Sequence, residues 1–356
     1  MNDLLELKRF VVAHAVSQNL PADHYTALLD RIVTDRGDGP GSWAREWVDA
    51  GEALVTAGEL LAASQYFTLG RFPFVDGPGR AHALTRAIET FDQWRAGVPA
   101  IEPRTVRVDG QPVRLWTIGL SAAAPRPLLI MSGGIVSPKE QWAAVLPQLA
   151  AFGFAGVVVD FPGVGESPLR LTAESWRLFP AIVDGLGFEA DVDQTYLLAL
   201  SFSGHLAIRA ALHDPRIRGI VGNGPPVHDF YTDRVWQDKV PAITRDTLAQ
   251  LARVTPAEVY DHIRDWAITD DELAGLSIPL AAVVARQDEI IPPADVDRLR
   301  RSVADLTLVE HDDVHGAPTH LAETRVWSLL AVLRMWPDAP DAVIGQLEAA
   351  VAAARG

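Results

Sequence analysis

Six short apolar runs constrain this chain more than any other feature: Pro127 to Met131, Gly156 to Asp160, Thr195 to Leu200, Gly219 to Val221, Pro279 to Ala285 and Leu306 to Glu310. They are short and apolar, and stretches of helical character separate them. Strands alternating with helices imply a mostly parallel sheet with helices on both faces. The predicted class is α/β, and ligands are expected at the edge formed by the C-terminal ends of the strands.

Residues 1–103 read differently. Apolar positions recur at helical spacing in Leu4, Leu5, Leu7, Phe10, Val11 and Val12, and again in Leu54, Leu60, Leu61, Tyr66 and Phe67, which predicts an N-terminal helical domain. Its last helix is expected from Gly79 to Trp94, ending before Gly97 and Pro99. The segment Arg104 to Thr117 alternates around Asp109-Gly110, a hairpin signal. A first part of the α/β core is expected over 104–227, and a second part with C-terminal helices over 273–356. Between them, over 228–272, the alternation lapses into segments such as His228 to Trp236 and Val259 to Trp266, read as a small helical cap insertion above the sheet edge.

Within the core, Thr195-Tyr-Leu-Leu-Ala-Leu-Ser201-Phe-Ser-Gly-His-Leu-Ala-Ile-Arg-Ala210 breaks an apolar run at one serine and resumes as a helix. A serine at such a turn projects its hydroxyl from the end of a sheet, beside the unpaired N–H groups of a helix start. That is the layout of a nucleophile elbow, although a serine that merely caps its helix would read alike. Ala199 and Ser203 stand where the G-x-S-x-G form has glycine, with Gly204 one place later.

Two later segments supply partners. Asp288 follows the 279–285 run, with Glu289 as a rival acid, and His315 follows the 306–310 run, with His311 and His320 as rival bases. The order Ser201, Asp288, His315 is that of the α/β-hydrolase triad. There the imidazole takes the serine proton while the carboxylate holds its tautomer. The oxyanion hole then needs two backbone donors, one from Phe202 and one from the Met131-Ser-Gly-Gly134-Ile-Val loop, either Gly134 or Ile135. Tyr66, Phe230, Tyr231 and Trp236 are candidate wall residues for an apolar substrate, although core packing accounts for most aromatics equally well.

A further segment, Val158-Val-Asp-Phe-Pro-Gly-Val-Gly-Glu-Ser167, has the D-x-P-G-x-G-x-S form frequent in α/β hydrolases. With this set the chain resembles that superfamily over about 104–336. More narrowly it is similar to the FrsA-type esterases and the 2,6-dihydroxypseudooxynicotine hydrolase group, with fungal polyketide-shortening hydrolases as relatives. The resemblance rests on Gln65-Tyr-Phe-Thr-Leu-Gly-Arg-Phe-Pro-Phe74, on Gly133-Gly-Ile-Val-Ser-Pro-Lys-Glu140, on the Pro-Gly-x-Gly-Glu-Ser segment and on Asp214-Pro-Arg-Ile-Arg218. It implies cleavage of an ester, or of a carbon–carbon bond beside a carbonyl, without a cofactor, and a homodimer.

Composition narrows the partners. With 46 acidic against 31 basic side chains, a formal charge of -15 and no basic run, nucleic acid and anionic membrane are not expected partners. The absence of cysteine removes thiol nucleophiles and thiolate metal sites. No metal site is expected from the spacing of His, Asp and Glu. The N-terminus carries acids where a signal peptide carries bases, so a cytoplasmic location is expected. The expected function is a cofactor-independent serine hydrolase acting on an apolar or aromatic carbonyl compound. An acyltransferase or cyclase using the same triad, or a ligand-binding protein on the same scaffold, are the alternatives.

Overall fold

A computed structural model describes residues 2–98 and 100–355; Pro99, expected just past the last N-terminal helix, lies outside the described residues. The chain opens with α1 (Leu4–Ser17), α2 (Ala22–Arg31), α3 (Trp43–Thr56), α4 (Leu60–Arg71) and α5 (Pro78–Ala96). The Asp3 carboxylate starts α1 by accepting the N–H groups of Leu5 and Glu6, both at 2.9 Å. Proline stands in the first turn of α5, where its missing N–H costs nothing. These helices bury Trp43, Trp47, Tyr66, Leu69 and Phe72 in a core of their own.

The hairpin β1 (Glu102–Val108) and β2 (Gln111–Ile118) turns at Asp109 and Gly110. Both have positive φ, 48° and 78°, as a two-residue turn matched to strand twist requires. Then follow β3 (Pro127–Ser132), α6 (Leu146–Ala151), β4 (Ala155–Val159), α7 (Leu178–Leu186), β5 (Asp191–Leu200), α8 (Phe202–Ala211) and β6 (Ile217–Asn223). The insertion carries α9 (Asp229–Thr232), α10 (Arg234–Gln237), α11 (Ala242–Ala252), α12 (Val259–Ile263) and α13 (Asp270–Ala274). The chain finishes with β7 (Leu280–Ala285), α14 (Pro293–Ser302), β8 (Leu306–His311), α15 (Leu321–Met335) and α16 (Asp341–Arg355).

Among the described residues, eight strands form one sheet in the order β1-β2-β4-β3-β5-β6-β7-β8. It is parallel from β4 to β8, and β2 joins β4 antiparallel. Separate apolar clusters pack against the sheet, one holding Leu128, Ile130, Val157 and Leu197, the other Leu129, Met131, Val158 and Leu198. That alternation along single strands is the mark of a sheet covered on both faces. The parallel register brings the loops after β3, β5, β6, β7 and β8 to one edge. Above that edge α1 bridges the helical region and the insertion, since Glu6 accepts the N–H groups of Ala242 and Ile243 at the start of α11 at 3.0 and 2.9 Å.

Candidate active site

Ser201 stands between β5 and α8 with φ 55° and ψ -125°, a conformation that costs a residue with a Cβ about 1–3 kcal/mol. Its surroundings hold it there: its N–H donates to Asn223 O at 2.7 Å, and its carbonyl accepts from Gly204 N at 2.9 Å. The hydroxyl lies 2.9 Å from His315 Nε2. On the other side of the ring, His315 Nδ1 is 2.8 Å from Asp288 Oδ2. Asp288 Oδ1 accepts the N–H groups of Ile290 and Ile291 at 2.9 and 2.8 Å, which fixes the carboxylate. Because Asp288 accepts from Nδ1–H, Nε2 is left with the lone pair that receives the serine hydroxyl.

The rival residues are placed elsewhere. Glu289 accepts the backbone N–H of His315 at 3.0 Å and so positions the histidine main chain, not its ring. His311 and His320 stack on each other at 4.2 Å, and His320 pairs with Asp313. Burial alone pushes the His315 pKa down, yet the charge and hydrogen bond of Asp288, with the charge of Glu289, outweigh it and raise the net value. His205, one turn into α8, is buried against the Tyr231 ring, and burial with Arg209 lowers its pKa to about 3.

The loop after β3 closes over the nucleophile. A Cβ on Gly134 would lie 3.0 Å from Ser201 Cβ and 3.5 Å from its Oγ, so a side chain there would crowd the nucleophile. Among the described residues, the N–H groups of Phe202, Gly134 and Ile135 donate to no backbone acceptor, as the start of a helix and an open loop allow. Behind this loop a fully buried Lys139 ties it down. Its N–H donates to Asp160 Oδ1 at 2.7 Å, and its Nζ lies 3.2, 2.8 and 2.5 Å from Asp160, Glu140 and Glu166. Burial lifts the Asp160 pKa to about 6 against the pull of Lys139.

Ala199 and Ser203 leave the elbow tight. Ala199 is paired in the sheet with Ser132 on one side and Gly222 on the other, and the glycine that the close packing requires stands at 204, where a Cβ would come within 2.7 Å of Pro225 Cβ. The Ser203 hydroxyl is wholly buried and donates where the strands end, lying 2.9 Å from Ser132 O and 2.8 Å from Leu200 O.

The expected wall aromatics pack as follows. Tyr66 lies in the core of the helical region, edge-on to Trp47 at 5.6 Å. Phe230 and Tyr231 are buried in the sheet core, Phe230 packing edge-on to Phe202 at 5.0 Å. Trp236 donates its indole N–H to Ile290 O at 2.8 Å. A cavity of about 170 Å³ is lined instead by Arg71 and Phe74 of the helical region, Ile135 of the loop after β3, Gly165, and Leu251 of α11. Two of these went unread in the sequence, Arg71 and Leu251, and so did Gly224. A Cβ on Gly224 would come within 2.8 Å of His315 Cε1. The available signal was the Gly222-Asn-Gly-Pro-Pro226 cluster, which closes β6 at the edge where the other loops meet.

Comparison with known proteins agrees with this architecture. The family model "Esterase FrsA-like" matches residues 23–305. Esterase FrsA of Photobacterium profundum is 26% identical over 329 residues, 83% of this chain and 78% of its own. That of Escherichia coli O157:H7 is 28% identical over 80% of this chain and 73% of its own. The solved structure "AbyA5 Wildtype" is 50% identical, with a TM-score of 0.95 over 99% of both chains. The 2,6-dihydroxy-pseudo-oxynicotine hydrolase shares the fold at 21% identity, with a TM-score of 0.72 over 92% of this chain and 97% of its own.

Proposed function

The chain belongs to the FrsA-like esterase family of α/β-hydrolase enzymes, and from that premise we propose that Ser201, His315 and Asp288 are its nucleophile, general base and orienting acid. The observation that carries the proposal is the continuous relay from Ser201 Oγ through His315 to Asp288, at 2.9 and 2.8 Å, on a residue held at φ 55°. A neutral serine is a poor nucleophile, and His315 Nε2 is placed to take its proton as Oγ attacks a carbonyl carbon. Phe202 N–H and the N–H of Gly134 or Ile135 receive the oxyanion, one such donor accounting for roughly 10²–10³ in rate. Asp288 stabilises the imidazolium and keeps the ring in register.

Collapse of the intermediate expels the leaving group, which takes its proton from His315, and water then cleaves the acyl-serine by the same route. No cofactor enters these steps. An ester expels an alkoxide. A carbon–carbon bond breaks by the same sequence only where the leaving carbanion is delocalised as an enolate, as in a β-dicarbonyl or aryl ketone.

The test is labelling with a fluorophosphonate, followed by turnover of aryl esters and β-diketones with products identified by mass. Labelling lost in Ser201→Ala, with turnover, supports the assignment. Labelling that persists in that variant overturns it, and acyl transfer to an added alcohol in preference to water identifies a transferase.

A further inference from the structure

The cavity lined by Ile135 has in its wall a cation that no carboxylate among the described residues pairs with. Arg71 closes α4 and is 2% exposed. Its Nη1 donates to Pro73 O at 2.7 Å and its Nη2 to Val136 O at 2.5 Å, while its Nε meets no acceptor. Only carbonyl oxygens therefore touch a guanidinium that offers five donors. The carboxylates whose fields reach it, Asp160 and Glu140, are both committed to Lys139 Nζ, at 3.2 and 2.8 Å. Among the described residues none forms an ion pair with Arg71. Burial lowers its pKa only to about 10, so it stays a cation at neutral pH. An unpaired buried cation is costly, and such groups are normally paired.

The cavity brings this cation toward the reacting atoms. Arg71 and Ile135 share its wall, and Ile135 adjoins Gly134, which packs on Ser201. Ser167, whose buried hydroxyl is also without a partner, lines the same space, and Phe74 and Leu251 supply apolar surface. The exposed Arg253 stands in the wall as a second cation. A protein of net charge -15 repels anions in general, so admitting one needs a local cation of this kind.

We propose that this cavity seats an anionic oxygen group of the substrate, a carboxylate or an acidic enolate, with Arg71 as its counter-charge, an inference that rests on the hydrolase reading for the identity of the reacting carbonyl. The substrate class is thereby a bifunctional one, with a carbonyl at Ser201 and an anion a few bonds away at Arg71. The helical region then determines selectivity, since it contributes the residue that recognises the charge.

The test uses Ser201→Ala protein and reads binding alone, so its outcome is independent of whether the hydrolase assignment holds. Calorimetry compares two matched pairs: monomethyl glutarate with dimethyl glutarate, and 1,3-cyclohexanedione, largely an enolate at neutral pH, with its neutral methyl enol ether. The anionic member of at least one pair binds about tenfold tighter or more than its neutral partner, as a desolvated charge pair does. The pair that shows it tells carboxylate from enolate. Adding Arg71→Met abolishes the preference, and Arg71→Lys keeps part of it. Leu169→Glu, half-buried in the same wall, also abolishes it and serves if the Met variant does not fold. Equal binding within both pairs, or a preference that survives Arg71→Met, overturns the proposal.

Discussion

Gly224 lies flat against the His315 ring: a Cβ at 224 would be 2.8 Å from Cε1, 3.1 Å from Nδ1 and 3.4 Å from Asp288 Oδ2. Its φ of +61° also disfavours any side chain. Gly224→Ala is expected to push the imidazole off the line between Ser201 and Asp288, and a displacement of that size costs about 10²-fold in rate. Measuring kcat/KM on an aryl ester beside the Tm checks this, and an active, folded alanine variant refutes it.

Asp288→Asn preserves shape but not the acceptor pair that fixes the His315 tautomer. The expected loss in kcat is about 10³–10⁴-fold with the fold intact. A variant within tenfold of the parent assigns the orienting role elsewhere.

The pH profile follows from the raised His315 pKa. The protonated ring cannot accept the Ser201 proton, and protonation grows as pH falls through the folded pKa. The acid limb of kcat/KM is therefore expected to have its midpoint above 6.5, the ordinary imidazole value. Glu289→Gln removes one of the charges that raise it, so the midpoint moves to lower pH. An unmoved or rising midpoint contradicts this account.

Ser203 ties the elbow to the ends of β3 and β5. Ser203→Ala removes the single O–H that the Ser132 and Leu200 carbonyls share and is expected to destabilise by about 1–2 kcal/mol, read from the urea midpoint at constant slope. The larger Ser203→Val adds overpacking and is expected to cost more.

Lys139→Met leaves Asp160, Glu140 and Glu166 facing one another without their cation. Breaking such a buried cluster costs about 3–5 kcal/mol, and the loop after β3 is expected to loosen with it. Expression and Tm decide this; a Tm equal to that of the parent shows that the cluster contributes no net stability.

The architecture was legible because its signals are periodic. The strands beginning at Pro127 and Leu306 and the hairpin at Asp109-Gly110 all stand where the apolar pattern places them. The meeting of Ser201, Asp288 and His315 was legible from chain order, since a parallel sheet brings the ends of β5, β7 and β8 to one edge. The choice between Asp288 and Glu289 was not, because it depends on which neighbour turns toward the ring and which toward the backbone. Arg71 stayed silent for a related reason: its meaning lies in lacking a carboxylate partner, a relation that only packing reveals. The place of Phe230 and Tyr231 in the core was not legible either, because an aromatic near a reactive serine serves as well under the site as in it.

The small residues that make room for the elbow are not all on the strand that carries the nucleophile. Ala199 is wholly buried yet keeps its methyl group, Ser203 keeps a hydroxyl that a strand end accepts, and the close approach falls one place later, where a Cβ on Gly204 would come within 2.7 Å of Pro225 Cβ in the loop after β6. The room a nucleophile needs is thus set between the start of α8 and the loop after β6, and not only by the residues two places to either side of the serine. A pattern that demands glycine two places after the serine overlooks chains such as this one, whereas one that accepts it at the third place finds them.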